Sequence, residues 1–243
     1  MKDNKRPETI ENRWDILYRD YPEVYDTFAR EEDIPVKDLV EMFEMQGKKV
    51  IDIGSGTGRS TFEIAPYAGE VIGIEPEESM IRIARNNLAN LKFKNVVFKK
   101  GTSDSIPLPE HEFDFVVSIT GGSFFLAEDV MRFVKEAERV LTRNGHIIFL
   151  GVSPGWYGGE LESVIVDNPD FRKHMDRLEE NVDGTFIKLG FDIKDIYQTQ
   201  EFRSLDHILS IYGFIFGKNA IEYIKANNKT TIKWCFRIYS KRV

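Results

Sequence analysis

The 243-residue chain is long enough for one large α/β domain or a domain with a cap, and its 42% hydrophobic and 30% charged residues suit a soluble globular protein. Forty acidic against 33 basic residues give a net charge of −7, which argues against a broad electropositive face for nucleic-acid phosphates. A lone cysteine, Cys235, excludes an intrachain disulfide and a cysteine zinc cluster; Met1–Arg6 is charged with no apolar run behind it, and no stretch approaches the roughly 18 apolar residues of a membrane span, so a cytoplasmic location is expected.

From about Glu8 to Met45 the pattern is helical and rich in aromatics (Trp14, Tyr18, Tyr21, Tyr25, Phe28, Phe43), with Pro22 and Pro35 expected to divide it into separate helices. Residues 1–46 thus read as an N-terminal helical cap. A regular alternation follows. Lys49–Ile53 is a short apolar run ending in glycines, hence a buried strand, with a helix expected from about Gly58 to Tyr67. Val71–Ile74 makes a second strand, and Met80, Ile81, Ala84, Leu88 and Leu91 share one face of the next helix. Val96–Phe98 and Phe113–Ser118 read as the third and fourth strands. Val130, Phe133, Val134, Ala137, Val140 and Leu141 form a helical stripe with Glu128 and Asp129 near its start. Asn144-Gly145 marks a turn, and His146–Leu150 a fifth strand.

Continuous apolar strands separated by helices imply a parallel sheet covered on both faces. The rest divides into an irregular insertion, 153–190, and a C-terminal part, 191–243. The insertion opens with a glycine-rich loop (Gly151, Pro154, Gly155, Gly158, Gly159) and continues as polar helix to about Glu180. Phe191–Gln200 suits a sixth strand, and Leu205–Ile224 a helix interrupted near Gly217. In the last segment Ile232, Trp234, Phe236 and Ile238 alternate with Lys233, Cys235, Arg237 and Tyr239, the period of an antiparallel strand with unequal faces.

The motif with chemical content lies at the end of the first strand, Asp52-Ile53-Gly54-Ser55-Gly56-Thr57-Gly58. Gly54 and Gly56 remove Cβ atoms where a ligand approaches the backbone, and the following helix directs unpaired N–H groups toward it. Spacing separates two cofactor classes. A dinucleotide fingerprint places its third glycine at position 59, which here is Arg59; the third glycine is Gly58. Glu75, about 20 residues beyond the loop at a strand terminus, is placed to accept hydrogen bonds from ribose hydroxyls, one donor to each oxygen.

This D-x-G-x-G-x-G after an apolar strand resembles the first motif of the class I S-adenosylmethionine-dependent methyltransferases. Gly101–Pro109 followed by Phe113-Asp114 is similar to the family's adenine-side segment and fourth strand, and Glu136–Gly145 to its helix and turn before the fifth strand. The resemblance covers roughly Val50 to Leu150, within a cofactor-binding core of 47–152, and is that of the small-molecule branch containing the ubiquinone and menaquinone methyltransferases. It implies one α/β domain with a doubly wound, mostly parallel, Rossmann-like sheet of seven strands, an antiparallel last strand and a helical cap.

It also implies S-adenosyl-L-methionine as cofactor and a set of contacts. Asp52, Gly54, Ser55, Gly56, Gly58 and Ser118 fall at the methionine end, and Glu75, Pro76 and Met80 at the ribose and adenine. The family's acid after the adenine-side glycine is replaced by Thr102, so either the Thr102 hydroxyl or Asp104 meets the adenine amino group, with Ser103 contributing backbone. Tyr25 resembles an N-terminal aromatic that covers the cofactor; a core tyrosine is the alternative.

Methyl transfer from a sulfonium is an in-line displacement in which positive charge disappears, so alignment and exclusion of water are the protein's main contributions. A general base is needed only for a protonated acceptor; His174, His207 and Tyr157 are the candidates, against a packing or surface role for each. Trp14, Tyr18, Trp156 and Tyr157 suit an aromatic lid or, equally, core packing. Ser118-Ile119-Thr120-Gly121-Gly122 is not the Pro-Pro-Tyr pattern of amino-group methylation of adenine or glutamine, and no Pro-Cys pair stands ready to attack a pyrimidine. No carboxylate–histidine cluster suggests a catalytic metal. Lys92, Lys94, Lys99 and Lys100 suit a solvated rim. Small-molecule methylation is the leading expectation; RNA methylation and a non-catalytic S-adenosylmethionine-binding module are the alternatives.

Overall fold

The computed structural model describes residues 7–31, 36–121, 126–166 and 169–243. Met1–Arg6, Pro35, Gly122 and the side chain of His174 lie outside the described residues. Seven strands form one sheet in the order β3-β2-β1-β4-β5-β7-β6: β1 Lys49–Ile53, β2 Glu70–Glu75, β3 Val96–Lys100, β4 Phe113–Ile119, β5 Leu141–Val152, β6 Asp192–Glu201 and β7 Thr231–Arg242. The pairings β3-β2-β1-β4-β5 are parallel, and β7 runs antiparallel to both β5 and β6.

Buried strands with apolar side chains on both sides need two covering layers. One layer contains α1 (Trp14–Asp20), α2 (Pro22–Glu31), α3 (Val36–Met42), α4 (Arg59–Ile64) and α5 (Glu78–Leu91), whose Leu17, Phe28, Leu39, Ile64 and Ile81 join Val50, Val117 and Ile148 of the sheet. Helical segments between β6 and β7 extend that layer: α9 (Leu205–Ile208), a π-helical turn over Leu209–Gly213, α10 (Phe214–Phe216) and α11 (Lys218–Ala226). The other layer is α6 (Ala127–Val140) and α8 (Pro169–Lys188), which pack Phe133, Val140 and Phe186 on Ile51, Val116 and Ile147. A short α7 (Glu162–Ile165) precedes α8. The predicted stripe of α6 is almost wholly removed from water, and each such large apolar side chain contributes about 1.5–3 kcal/mol before conformational entropy is subtracted.

Three expectations are refined. The last strand, expected to have unequal faces, is covered on both: β7 lies between β5 and β6, and Cys235 and Tyr239 are buried as well as Trp234 and Phe236, with Tyr239 stacked on Phe186 of α8. Asn144-Gly145 does not separate helix from strand. Strand pairing already exists at Phe113–Leu141, and residues between Leu141 and His146 bulge out, with Asn144 at φ 72°, before Phe115 pairs with His146. The polar helix continues past Glu180 to Lys188, because Val182 and Phe186 anchor its last turns in the core. At Pro22 a new helix begins, the position where a missing N–H costs least.

Candidate functional site at the carboxyl edge of the sheet

The central strand β1 is flanked by β2 and β4, with Asp52 in register with Gly73 and Val117. Its side chain points into the α4 layer and is fully buried. One oxygen, Oδ2, accepts from Ser60 Oγ at 2.8 Å and Thr61 Oγ1 at 2.6 Å, both on α4, while Oδ1 is buried with no hydrogen-bond partner among the described residues. Burial pushes the carboxyl pKa up to about 6, moderated by the Thr61 and Ser60 hydroxyls and by Arg59.

The glycine loop leaves β1 in a left-handed conformation, with Gly54, Gly56 and Gly58 at φ 70°, 55° and 95°. A Cβ on Gly54 would collide with the backbone of Gly121, which joins the loop to the end of β4. A Cβ on Gly56 would lie 3.3 Å from the ring of Tyr25, so α2 brings that tyrosine onto the loop. Ser55 Oγ and Ser118 Oγ are buried and, like Asp52 Oδ1, have no hydrogen-bond partner among the described residues. Gly73 makes room for Ser55, since a side chain there would meet the serine hydroxyl and Phe98.

Glu75 ends β2 and is 7% exposed. Its Oε2 accepts the Gly56 N–H at 2.9 Å and its Oε1 the Glu77 N–H at 3.0 Å. Burial raises its pKa and these two backbone bonds oppose the rise. The carboxylate therefore ties the glycine loop to the start of α5, a role its sequence position did not suggest. Pro76 is exposed beside it, and Met80 is buried one turn into α5. The Gly101 N–H donates to the Glu75 carbonyl at 3.2 Å, which draws the β3–β4 connection to the same edge. There Thr102 Oγ1 donates to Asp104 Oδ1 at 2.7 Å; both are exposed, Ser103 is half-buried, and Asp104 lies 3.6 Å from Arg132.

These contacts gather Asp52, the loop glycines, Glu75, Ser118 and Tyr25 along one edge, the carboxyl ends of parallel strands where such sheets bind ligands. Three orphaned buried oxygens and glycines that keep backbone accessible fit a small polar ligand with hydrogen-bond donors. A family model described as a methyltransferase domain matches residues 44–203. The chain belongs to the class I S-adenosylmethionine-dependent methyltransferase family. S-adenosylmethionine is the cofactor that this family uses, and the buried Asp52 Oδ1 beside the Ser55 and Ser118 hydroxyls fits the ammonium of its methionine end.

The chain is 28% identical over 166 residues to the uncharacterized methyltransferase YcgJ of Bacillus subtilis, covering 68% of this chain and 59% of that protein. It is 31% identical over 120 residues to a demethylmenaquinone methyltransferase of Lactococcus lactis, covering 48% of this chain and 47% of that protein. It thus spans about half to three-fifths of the length of these two relatives. Among solved structures the fold is similar to that of the YcgJ protein, with a TM-score of 0.58 at 18% identity over 84% of this chain and 95% of that one. A methyltransferase of Aquifex aeolicus gives 0.57 at 17% identity, over 91% and 98%.

The lid expected from four aromatics is not one surface. Trp14 packs on Tyr18 and donates its indole N–H to Tyr157 Oη at 2.7 Å, so those three meet over the N-terminal cap. Trp156 instead contacts Tyr197 of β6. Tyr157 has its pKa raised by burial, against the Trp14 bond. His207 is buried in the cap layer, its ring against Phe202. Two residues of the site were not singled out in the sequence. Arg59, noted there only for breaking the dinucleotide spacing, has a side chain 10% exposed, and its Nη2 donates to Thr120 Oγ1 at 3.3 Å. Thr120 itself stands at φ 51°, a conformation rare for a β-branched residue, just past β4. A charged residue directly after the third glycine was the available signal.

Proposed function

We propose that this chain transfers a methyl group from S-adenosyl-L-methionine to an O, N or C atom of a small-molecule acceptor. The observation that carries the reading is the cradle formed by the unpartnered Asp52 Oδ1, Ser55 Oγ and Ser118 Oγ around the glycine loop. When bound, the sulfonium supplies an electrophilic methyl carbon. Asp52 holds the ammonium of the methionine end through Oδ1, with Ser60 and Thr61 fixing the other oxygen. Gly54, Ser55, Gly56 and Gly58 contact the methionine moiety along the loop, with Ser118 beside them. Glu75 takes the ribose hydroxyls on lone pairs that its two backbone bonds leave over. Pro76 and Met80 flank the adenine, Thr102 or Asp104 accepts from its amino group, and Ser103 presents its backbone. Tyr25 covers the loop and excludes water.

A small-molecule acceptor is supported by the relatives named demethylmenaquinone methyltransferase and by the net charge of −7. Lys92, Lys94, Lys99 and Lys100 are exposed around β3, as a solvated rim requires. The segments that select the acceptor are about Glu8–Met45 and 153–190, which flank the core of a single methyltransferase domain. A cytoplasmic site of action is consistent with the finding that no helix among the described residues is long and apolar enough to cross a membrane. The test is transfer of radiolabelled methyl into cell extract separated into small-molecule, RNA and protein fractions. Label in the small-molecule fraction is the expected result. Label in RNA, lost at high salt, would replace the acceptor class, and cofactor binding without transfer to any fraction would replace the activity.

A further inference from the structure

A connecting segment selects a base well only if its backbone is held before the base arrives, because ordering it on binding subtracts from the affinity gained. The β3–β4 connection carries Thr102, Ser103 and Asp104, and its turn is exposed at Thr102 and Asp104. What holds that turn comes from α6, in the layer opposite the helix that follows the glycine loop.

We propose that Glu136 and Arg139 of α6 are positioning residues for base selection: they fix the backbone of this connection so that the turn at Thr102–Ser105 meets the base preformed, and they act only through that turn. This rests on the cofactor reading above. Thr102 and Ser105 exchange backbone bonds, the Thr102 N–H to the Ser105 carbonyl at 3.3 Å and the Ser105 N–H to the Thr102 carbonyl at 3.2 Å, which closes the turn. Directly behind it, the Ile106 N–H donates to Glu136 Oε2 at 3.1 Å, and the Ile106 carbonyl accepts from Arg139 Nη2 at 2.8 Å. Arg139 Nη1 donates to the Leu108 carbonyl at 3.0 Å, so one guanidinium spans Pro107. Ile106 and Leu108 bury their side chains and Pro107 has no N–H, so these bonds serve backbone groups that lie outside any strand pairing. Arg139 also pairs with Glu136, Nε to Oε1 at 3.0 Å and Nη2 to Oε2 at 2.8 Å, and this fork holds the Glu136 carboxyl below the usual carboxylate range. Along the same helix Arg132 lies 3.6 Å from Asp104, and the carbonyls of Arg139 and Val140 accept the His111 and Glu112 N–H groups at 3.1 and 3.0 Å. The connection is therefore braced against α6 from Asp104 to Glu112. Lysine at position 139 keeps the charge but has no planar fork to span two carbonyls.

The experiment compares S-adenosylhomocysteine with its analogue that lacks only the 6-amino group of the purine. Isothermal calorimetry measures both ligands on the full chain and on Arg139→Met and Arg139→Lys, with each melting temperature recorded. The unsubstituted chain should prefer S-adenosylhomocysteine by about five- to twentyfold, the span of one hydrogen bond to an exposed polar or charged acceptor. Arg139→Met should bring that preference below about twofold, and Arg139→Lys should keep an intermediate value. A role confined to stability lowers the melting temperature and leaves the ratio of affinities where it was, so an unchanged ratio in Arg139→Met overturns the proposal. Should Arg139→Met not fold, the lysine variant decides, and a ratio equal to that of the unsubstituted chain overturns it. Equal binding of the two ligands by the unsubstituted chain would withdraw the assignment of the base to the Thr102–Asp104 turn, and the proposal with it. Binding of neither would withdraw the cofactor reading itself.

Discussion

At the scale of single residues, Asp52 combines structural cost with binding use. Its folded pKa of about 6 stands above the ordinary 3.8. Between those values the folded state holds more protons than the unfolded one, so the carboxyl's contribution to stability falls as pH rises through that window. Above about pH 6 the penalty is fully present, amounting to about 2–3 kcal/mol by the size of the shift. Asp52→Asn should therefore stabilise the cofactor-free chain at pH 7.5 and lose most of that advantage at pH 4.5. Denaturant titrations at the two pH values check it, and a pH-independent difference between variant and parent would refute it. The same variant should bind S-adenosylhomocysteine weakly, and the parent's affinity should fall as pH drops below about 6.

Gly56 is the residue whose missing side chain matters most for the groove. Its φ of 55° disfavours a β-branched side chain, and a Cβ would press on the Tyr25 ring at 3.3 Å. Gly56→Val should abolish measurable binding of S-adenosylhomocysteine by calorimetry at a cost of a few degrees in melting temperature. Unimpaired binding would remove the loop from the site.

At the scale of elements, the N-terminal cap is joined to the region between β6 and β7 rather than to the glycine loop alone. The Ile10 and Asn12 N–H groups donate to the carbonyls of Phe214 and Ile215, both at 2.8 Å, and Trp14 and Phe28 share ring contacts with Phe216. A second chain of rings runs from Tyr25 through Phe28 to Tyr212, whose hydroxyl donates to Gln200 at 2.6 Å beneath Trp234. The cap is thus a packing partner of the C-terminal helices, and Tyr25 lies against the loop at Gly56. Tyr157→Phe deletes the acceptor of the Trp14 indole N–H, a donor with no other function, and should cost about 1–2 kcal/mol, or roughly 2–8 °C in melting temperature. Because Tyr157 is held against the cap, affinity for S-adenosylhomocysteine should change little. A large loss of affinity at unchanged melting temperature would assign this tyrosine to the binding groove.

At the scale of the whole molecule, strand order governs what can be removed. β7 is last in sequence but interior in the sheet, pairing with β5 from Val152–Phe236 to His146–Arg242 and with β6 from Glu201–Thr231 to Asp192–Ser240. Truncation after Asn228 should therefore strip β6 of its neighbour, expose the Trp234-facing cap layer and prevent cooperative unfolding, seen as loss of near-ultraviolet dichroism with helical signal retained. A truncated chain that melts in one sharp transition would contradict this. An edge strand would be dispensable by comparison.

The same scale shows where reading the sequence reached and where it stopped. Lys49–Ile53, Val71–Ile74, Phe113–Ser118 and the stripe on α6 were legible because fully buried strands and amphipathic helices write their environment into apolar periodicity. The turn at Asn144-Gly145 misled because a bulge within a strand and a loop between elements call for the same positive-φ residues. The interior place of β7 was hidden because alternation reports direction and burial of faces, not which strands lie alongside.

The sequence alone determined the glycine loop and, through Gly58 and Arg59, the class of cofactor, since backbone clearance and residue spacing are local properties of a strand–loop–helix unit. It also placed Asp52 and Glu75 at strand ends. Only the tertiary structure decided that Glu75 binds the loop's own Gly56 N–H, that Tyr25 of α2 lies on Gly56, and that Arg59 reaches Thr120. Each of those contacts joins segments far apart in the chain, and their meeting follows from how the layers pack across the sheet.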